Sequence, residues 1–145
     1  MVQAEIKDTF KVGIYTTKLE LDKKDLTNFC NITEQKNKSI FVSNTGYQSN
    51  IFYSKDSVVI NLQKEILEHS KEYAKYLGYD FDNLNIKNMW ININYYKDFN
   101  LPHNHGTDII SGVFYVEVPK DSGEIVFENP CNKIDIVNGV IKDFT

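Results

Sequence analysis

The chain of 145 residues is the length of one ordinary domain and is long enough to bury a core without disulfide or metal staples. Its 41% hydrophobic and 25% charged residues exclude disordered and fibrous classes. A net charge of −4 with no basic block gives no surface for tracking phosphates, so nucleic acid is not an expected partner.

At the amino terminus, "MVQAEIKDTF" lacks the apolar core and cleavage site of a signal peptide, and no apolar run approaches the roughly 18 residues of a membrane span. A cytoplasmic protein without membrane attachment is expected. Residues 9–21, "TFKVGIYTTKLEL", alternate loosely and are rich in β-branched and aromatic side chains, which predicts a strand or two. A short helix is expected to follow from Asp22, capped by its carboxylate. Residues 42–52, "VSNTGYQSNIF", read as a polar, turn-rich insert, with Asn44-Thr45-Gly46 specifying the turn.

The clearest helix runs from about Val58 to Leu77, with Asp56 or Ser57 as its cap. Val59, Leu62, Ile66, Tyr73 and Leu77 fall on one stripe, which should lie against a sheet, and Gly78 stands where a left-handed residue ends a helix. His69, among Glu68, Ser70 and Lys71, reads as a solvated surface histidine. Further on, "IKNMWININYY" (86–96) places Trp90, Asn92, Asn94 and Tyr96 on one strand face, against Met89, Ile91, Ile93 and Tyr95 on the other. Residues 108–118, 123–129, 133–137 and 139–144 are further strand candidates, and Asn138-Gly139 is a hairpin signal. The carboxyl half therefore reads as antiparallel sheet, and no linker or repeat divides the single domain, 1–145.

His103 and His105 stand one residue apart, and in an extended segment side chains at i and i+2 point to the same side. Pro102 favours that geometry by disfavouring the helical region for Leu101. Two imidazoles and a carboxylate on one face of iron form the open site of the non-haem oxygenases. Asp108 is the nearest acid, although an offset of three from His105 does not preserve a strand face. Exposed loop histidines are the alternative reading. Asn92, Asn94 and Tyr96 share the polar face just upstream, where their donors either reach a ligand's carboxylate or meet only water. All sixteen basic residues are Lys, so no guanidinium fork is available. Cys30 and Cys131 are too few for a disulfide framework and read as buried free thiols.

In their order and spacing, "VSNTGYQSN" (42–50), "WININYYKDFNLPHNH" (90–105), "SGVFYVEVP" (111–119) and "SGEIVFENP" (122–130) resemble the Fe(II)- and 2-oxoglutarate-dependent oxygenases, specifically a prolyl-hydroxylase-like group of phage and marine bacterial proteins. The resemblance implies an α+β, mainly β fold: a double-stranded β-helix (a cupin-like jelly roll) with an N-terminal helix packed on the sheet. Residues 1–85 would supply the N-terminal strands and helix, and 86–145 the first part of the β-helix core. By the same resemblance His103 takes the place of the first metal ligand, and His105 falls where the carboxylate usually stands. Asn94 and Tyr96 match an Asn-x-Tyr pair that contacts 2-oxoglutarate, and the "SNTGYQS" segment is expected to be a substrate loop. Fe(II) and 2-oxoglutarate are the implied cofactors, and hydroxylation of an unknown protein or small molecule is the implied activity.

Members of the family carry a second metal histidine and, beyond it, a basic residue for the distal carboxylate of 2-oxoglutarate. The forty residues after His105 hold neither His nor Arg, and only Lys133 and Lys142 are candidate point charges. The chain is therefore expected to be the first part of an oxygenase, inactive alone or completed by a partner, with open sheet edges that favour a homodimer. A noncatalytic β-sandwich binding or assembly module is the rival expectation, and a cupin-like zinc or manganese protein is a third.

Overall fold

The computed structural model describes residues 13–50, 54–81, 83–128 and the backbone of 139–141. Helix α1, Lys23–Lys36, begins where predicted: the Asp22 carboxylate accepts from the backbone N–H groups of Lys24 and Asp25 at 2.9 and 3.2 Å. At its other end Asn37 donates from Nδ2 to the Thr33 carbonyl at 2.8 Å, satisfying an orphan acceptor. Helix α2, Ser57–Tyr76, is capped by Asp56, which accepts from the Val58 N–H at 3.0 Å. Gly78 follows with φ +85, the left-handed conformation expected of it.

The two helices touch, and the core lies between them and the strand segment that follows α1. Leu26 of α1 and Val59, Leu62 and Ala74 of α2 are buried, together with Tyr47. Tyr47 and Gln48 form β1, which pairs antiparallel with β2, Asn92–Ile93; Tyr47 stands opposite Ile93 and Gln48 opposite Asn92. The pairing continues past both ends. Ser49 donates its N–H to the Ile91 carbonyl at 2.9 Å, and Asn44 forms an isolated bridge with Asn100. More residues lie between Ile93 and Asn100 than between Asn44 and Tyr47, and the excess is taken up by a turn closed by Asp98 N–H to Tyr95 O, with Lys97 at φ 72.

Side chains join this ladder to the helices. Tyr47 donates from Oη to the Thr33 carbonyl of α1 at 3.3 Å, Tyr95 donates to Glu34 at 2.8 Å, and Gln63 of α2 reaches Met89 Sδ at 3.8 Å.

Several strand expectations are not met. Residues 13–21 form no strand but lie along α2: the Gly13 carbonyl accepts from Tyr73 Oη, while Tyr15 Oη donates to Glu72 at 3.0 Å and lies 2.8 Å from His69 Nδ1. His69 is accordingly half-buried beside this strap rather than solvated. Residues 9–12 lie outside the described residues, as do 133–137, Asn138, Cys131, Lys133 and Lys142. Of 86–96, only Asn92–Ile93 is ladder, and 108–118 forms no strand, with Ile109 and Val113 well exposed. Strand formation needs a partner at long range, and among the described residues no strand pairs with that run. Nearer the carboxyl end, β3 (Ile125–Phe127) does pair antiparallel with β4 (Gly139–Ile141), so part of the predicted sheet is present. Among the described residues no helix is long and apolar enough to cross a membrane.

Candidate metal centre

The chain leading into the histidines is held by a buried polar hub. Asn44, Gln48 and Ser49 are among the most buried polar residues, at 4, 6 and 3% exposure, so these three side chains of the segment expected to be a substrate loop turn inward, while Thr45 is exposed. Asn44 folds the turn on itself: its Oδ1 accepts from the Gly46 N–H at 2.9 Å, and its Nδ2 donates to the Tyr47 carbonyl at 3.2 Å and to Asn94 Oδ1 at 2.6 Å. Thr45 and Phe99 exchange bonds. Thr45 N–H donates to the Phe99 carbonyl at 3.0 Å, and Phe99 N–H donates to Thr45 Oγ1 at 2.8 Å. Asp98 accepts from Thr45 Oγ1 at 3.2 Å and from Tyr95 N–H at 2.9 Å. At Gly46 a side chain is sterically barred, because a Cβ would lie 2.5 Å from the Ile93 carbonyl oxygen and 2.7 Å from Asp98 Oδ2. Finally Leu101 N–H donates to the Ser43 carbonyl at 2.7 Å, fixing the chain two residues before His103.

Beyond that anchor the imidazoles of His103 and His105 lie side by side. Their ring centroids are 5.1 Å apart and the rings meet edge to face at 70°. They are adjacent although the segment is not a strand, the geometry from which a shared side was expected. His103 Nδ1 lies 2.7 Å from the Leu101 carbonyl. A carbonyl only accepts, so Nδ1 is the donor in this contact and Nε2 is left on the opposite side of the ring. His105 is stacked on Trp90, with centroids 5.6 Å apart and planes 27° apart.

Asp108 is nearer to this pair than strand geometry allows. Its N–H donates to the His105 carbonyl at 2.9 Å, closing a turn through Gly106 and Thr107 that brings the carboxylate round to His105. Asp108 Oδ2 then lies 3.9 Å from His105 Nδ1, and Oδ1 accepts from Lys87 Nζ at 3.1 Å. An offset of three fails on a strand but succeeds in a turn, and Gly-Thr between His and Asp was the available signal. Sequence reasoning also left Trp90 and Lys87 without a role.

The residues expected to contact a co-substrate are placed differently from one another. Asn94 is tied to the hub through its Oδ1, which orients its amide. Tyr96 is 91% exposed in the 95–98 turn, with Lys97 Nζ 5.3 Å from its ring centroid.

Two adjacent imidazoles suit iron as donors in kind, and a carboxylate lies beside one of them. This donor set does not close a complete shell, since among the described residues no three His, Cys, Asp or Glu side chains converge on one point. Residues 88–143 match the family model described as "Putative 2OG-Fe(II) oxygenase". No curated protein and no solved structure matches the chain. The matched segment contains Trp90, Asn94, Tyr96, His103, His105 and Asp108, so over these residues the chain is similar to the 2OG-Fe(II) oxygenases.

Proposed function

We propose that the chain is an Fe(II)/2-oxoglutarate-dependent hydroxylase, or a part of one, acting on a protein side chain or small molecule. The observation that supports this reading best is the edge-to-face pairing of His103 and His105 inside the segment that matches the family. When bound, Fe(II) with 2-oxoglutarate supplies activation of O2 and oxidation of a C–H bond. The chain's own residues have more limited tasks. His103 and His105 would hold the metal. Asn94 offers its Nδ2, and Tyr96 its phenol, to a carboxylate of the co-substrate, as donors suited to it. The hub of Asn44, Gly46 and Asp98 holds Asn94 close upstream of the histidines.

The fold that would complete the site is a double-stranded β-helix, a reading supported by the antiparallel pairing of β1 with β2 and of β3 with β4. Its remaining ligand and a cation for the co-substrate would come from a partner subunit paired through an open sheet edge, or from further chain. Anaerobic addition of Fe(II) and 2-oxoglutarate should produce a weak visible charge-transfer band that His103→Ala abolishes. Absence of the band, together with no retention of metal, would refute the assignment.

A noncatalytic binding or assembly module is the second reading, favoured by the lack of any Arg and of a third converging ligand among the described residues. In that case added metal leaves the thermal stability of the wild type and of the doubly substituted His103→Ala/His105→Ala protein alike.

A further inference from the structure

Each of the two imidazoles has an acceptor near its Nδ1. For His103 it is the Leu101 carbonyl at 2.7 Å, and for His105 it is Asp108 Oδ2 at 3.9 Å. The carboxylate is itself held at two other points, by its own N–H bond to the His105 carbonyl and by Lys87 Nζ on its second oxygen. Its side chain is about a quarter exposed, and the stacked Trp90 ring limits how His105 can turn.

We propose that Asp108 is a positioning residue that fixes the tautomer and orientation of His105, so that both histidines offer Nε2 to one cation. The inference rests on the reading of His103 and His105 as metal ligands. It assigns the carboxylate a place behind the ring, on the Nδ1 side, where Oδ2 lies 3.9 Å away. A carboxylate behind an imidazole selects the Nδ1–H form and holds the ring's orientation, and losing such a partner weakens metal binding by about 10- to 100-fold. Lys87 acts one step further back by holding Oδ1, so that Oδ2 is the oxygen turned toward the ring.

The test uses Co(II) as the probe on the whole chain, titrated by visible absorption, with long-range 15N spectra of the histidine rings recorded on the metal-free protein at one fixed pH. Asp108→Asn keeps the size of the side chain, and far-UV circular dichroism checks its fold. The wild type should bind Co(II) and show His105 in the Nδ1–H form. Asp108→Asn should bind about 10- to 100-fold more weakly, with the His105 ring shifted toward a tautomer mixture and the His103 ring unchanged. Equal Co(II) affinity and an unchanged His105 tautomer in Asp108→Asn would overturn the positioning role while leaving the metal reading intact. Complete loss of binding with an unchanged tautomer would also overturn it, because Asp108 would then be a ligand. A wild type that takes up no Co(II) would remove the ligand pair itself, and this inference with it.

Discussion

Asn44 Nδ2 donates to Asn94 Oδ1 at 2.6 Å, joining two segments fifty residues apart directly upstream of the paired histidines. Asn44 is 4% exposed and also bonds the Tyr47 carbonyl and the Gly46 N–H, so its amide occupies the centre of the hub. Replacing it with Ala strands three polar groups. Asn44→Ala is expected to lower unfolding stability by about 2 kcal/mol, as an unsatisfied buried hydrogen-bonding group does. Urea denaturation of variant and wild type gives the difference, and an unchanged midpoint would deny the hub its structural role.

Gly46→Ala tests the same hub by steric means. The new methyl would lie 2.5 Å from the Ile93 carbonyl oxygen, a backbone atom with little freedom to give way. The expected cost is about 1–3 kcal/mol, typical of overpacking, accompanied by displacement of the 91–101 segment. Amide chemical shifts of His103 and His105 should move with it; confinement of the shifts to residues 44–48 would contradict the coupling.

Metal should stabilise the wild type by mass action. At a free Co(II) concentration a hundred times the dissociation constant, the gain is about 2.7 kcal/mol. His103→Ala and His105→Ala should each lose most of it, whereas His69→Ala, on the face of α2 beside Tyr15, should keep it. Thermal denaturation with and without Co(II) makes the comparison.

At alkaline pH the fold should weaken. Burial pushes the Cys30 thiol above its ordinary range, and burial followed by the nearby Glu34 carboxylate pushes the Tyr47 phenol up. Both groups hold their protons more tightly folded than unfolded. Their contribution is therefore fully present below the unfolded pKa values, about 8.5 for the thiol and 10 for the phenol, and is lost as pH rises through the folded ones. Unfolding free energies measured from pH 7 to 11 should decline above pH 8.5, and Cys30 should react with a thiol reagent more slowly in the native protein than in urea. Flat stability to pH 11 would contradict the shifts.

Gly78 offers a local test. Its φ of +85 is a conformation that costs an L-residue about 1 kcal/mol, and nothing lies within 4 Å of a Cβ added there. Gly78→Ala should therefore destabilise by strain alone, about 1 kcal/mol, and a Gly78→Asn variant should recover part of the loss in the same melting experiment.

The helices were legible because their determinants are local. Asp22 and Asp56 cap by bonding N–H groups two and three residues away, the α2 stripe repeats at the helical period, and Gly78 closes the end. The strands were less so. "DIISGVFYVEV" has every intrinsic preference of a strand but has no pairing strand among the described residues, whereas Ile125–Phe127 found one fourteen residues away. The candidate site was half legible: spacing alone put His103 and His105 together, while Asp108 was misjudged because a strand face was assumed where a turn forms.

By itself, the sequence determined where each helix starts and where α2 stops, since those depend on side chains within a few positions of one another. Only the tertiary structure decided that Asn44 meets Asn94, that Trp90 stacks on His105 and that Lys87 holds Asp108. Those contacts join segments fifteen to fifty residues apart, and closing such loops depends on the summed packing of the intervening chain, which no local pattern encodes.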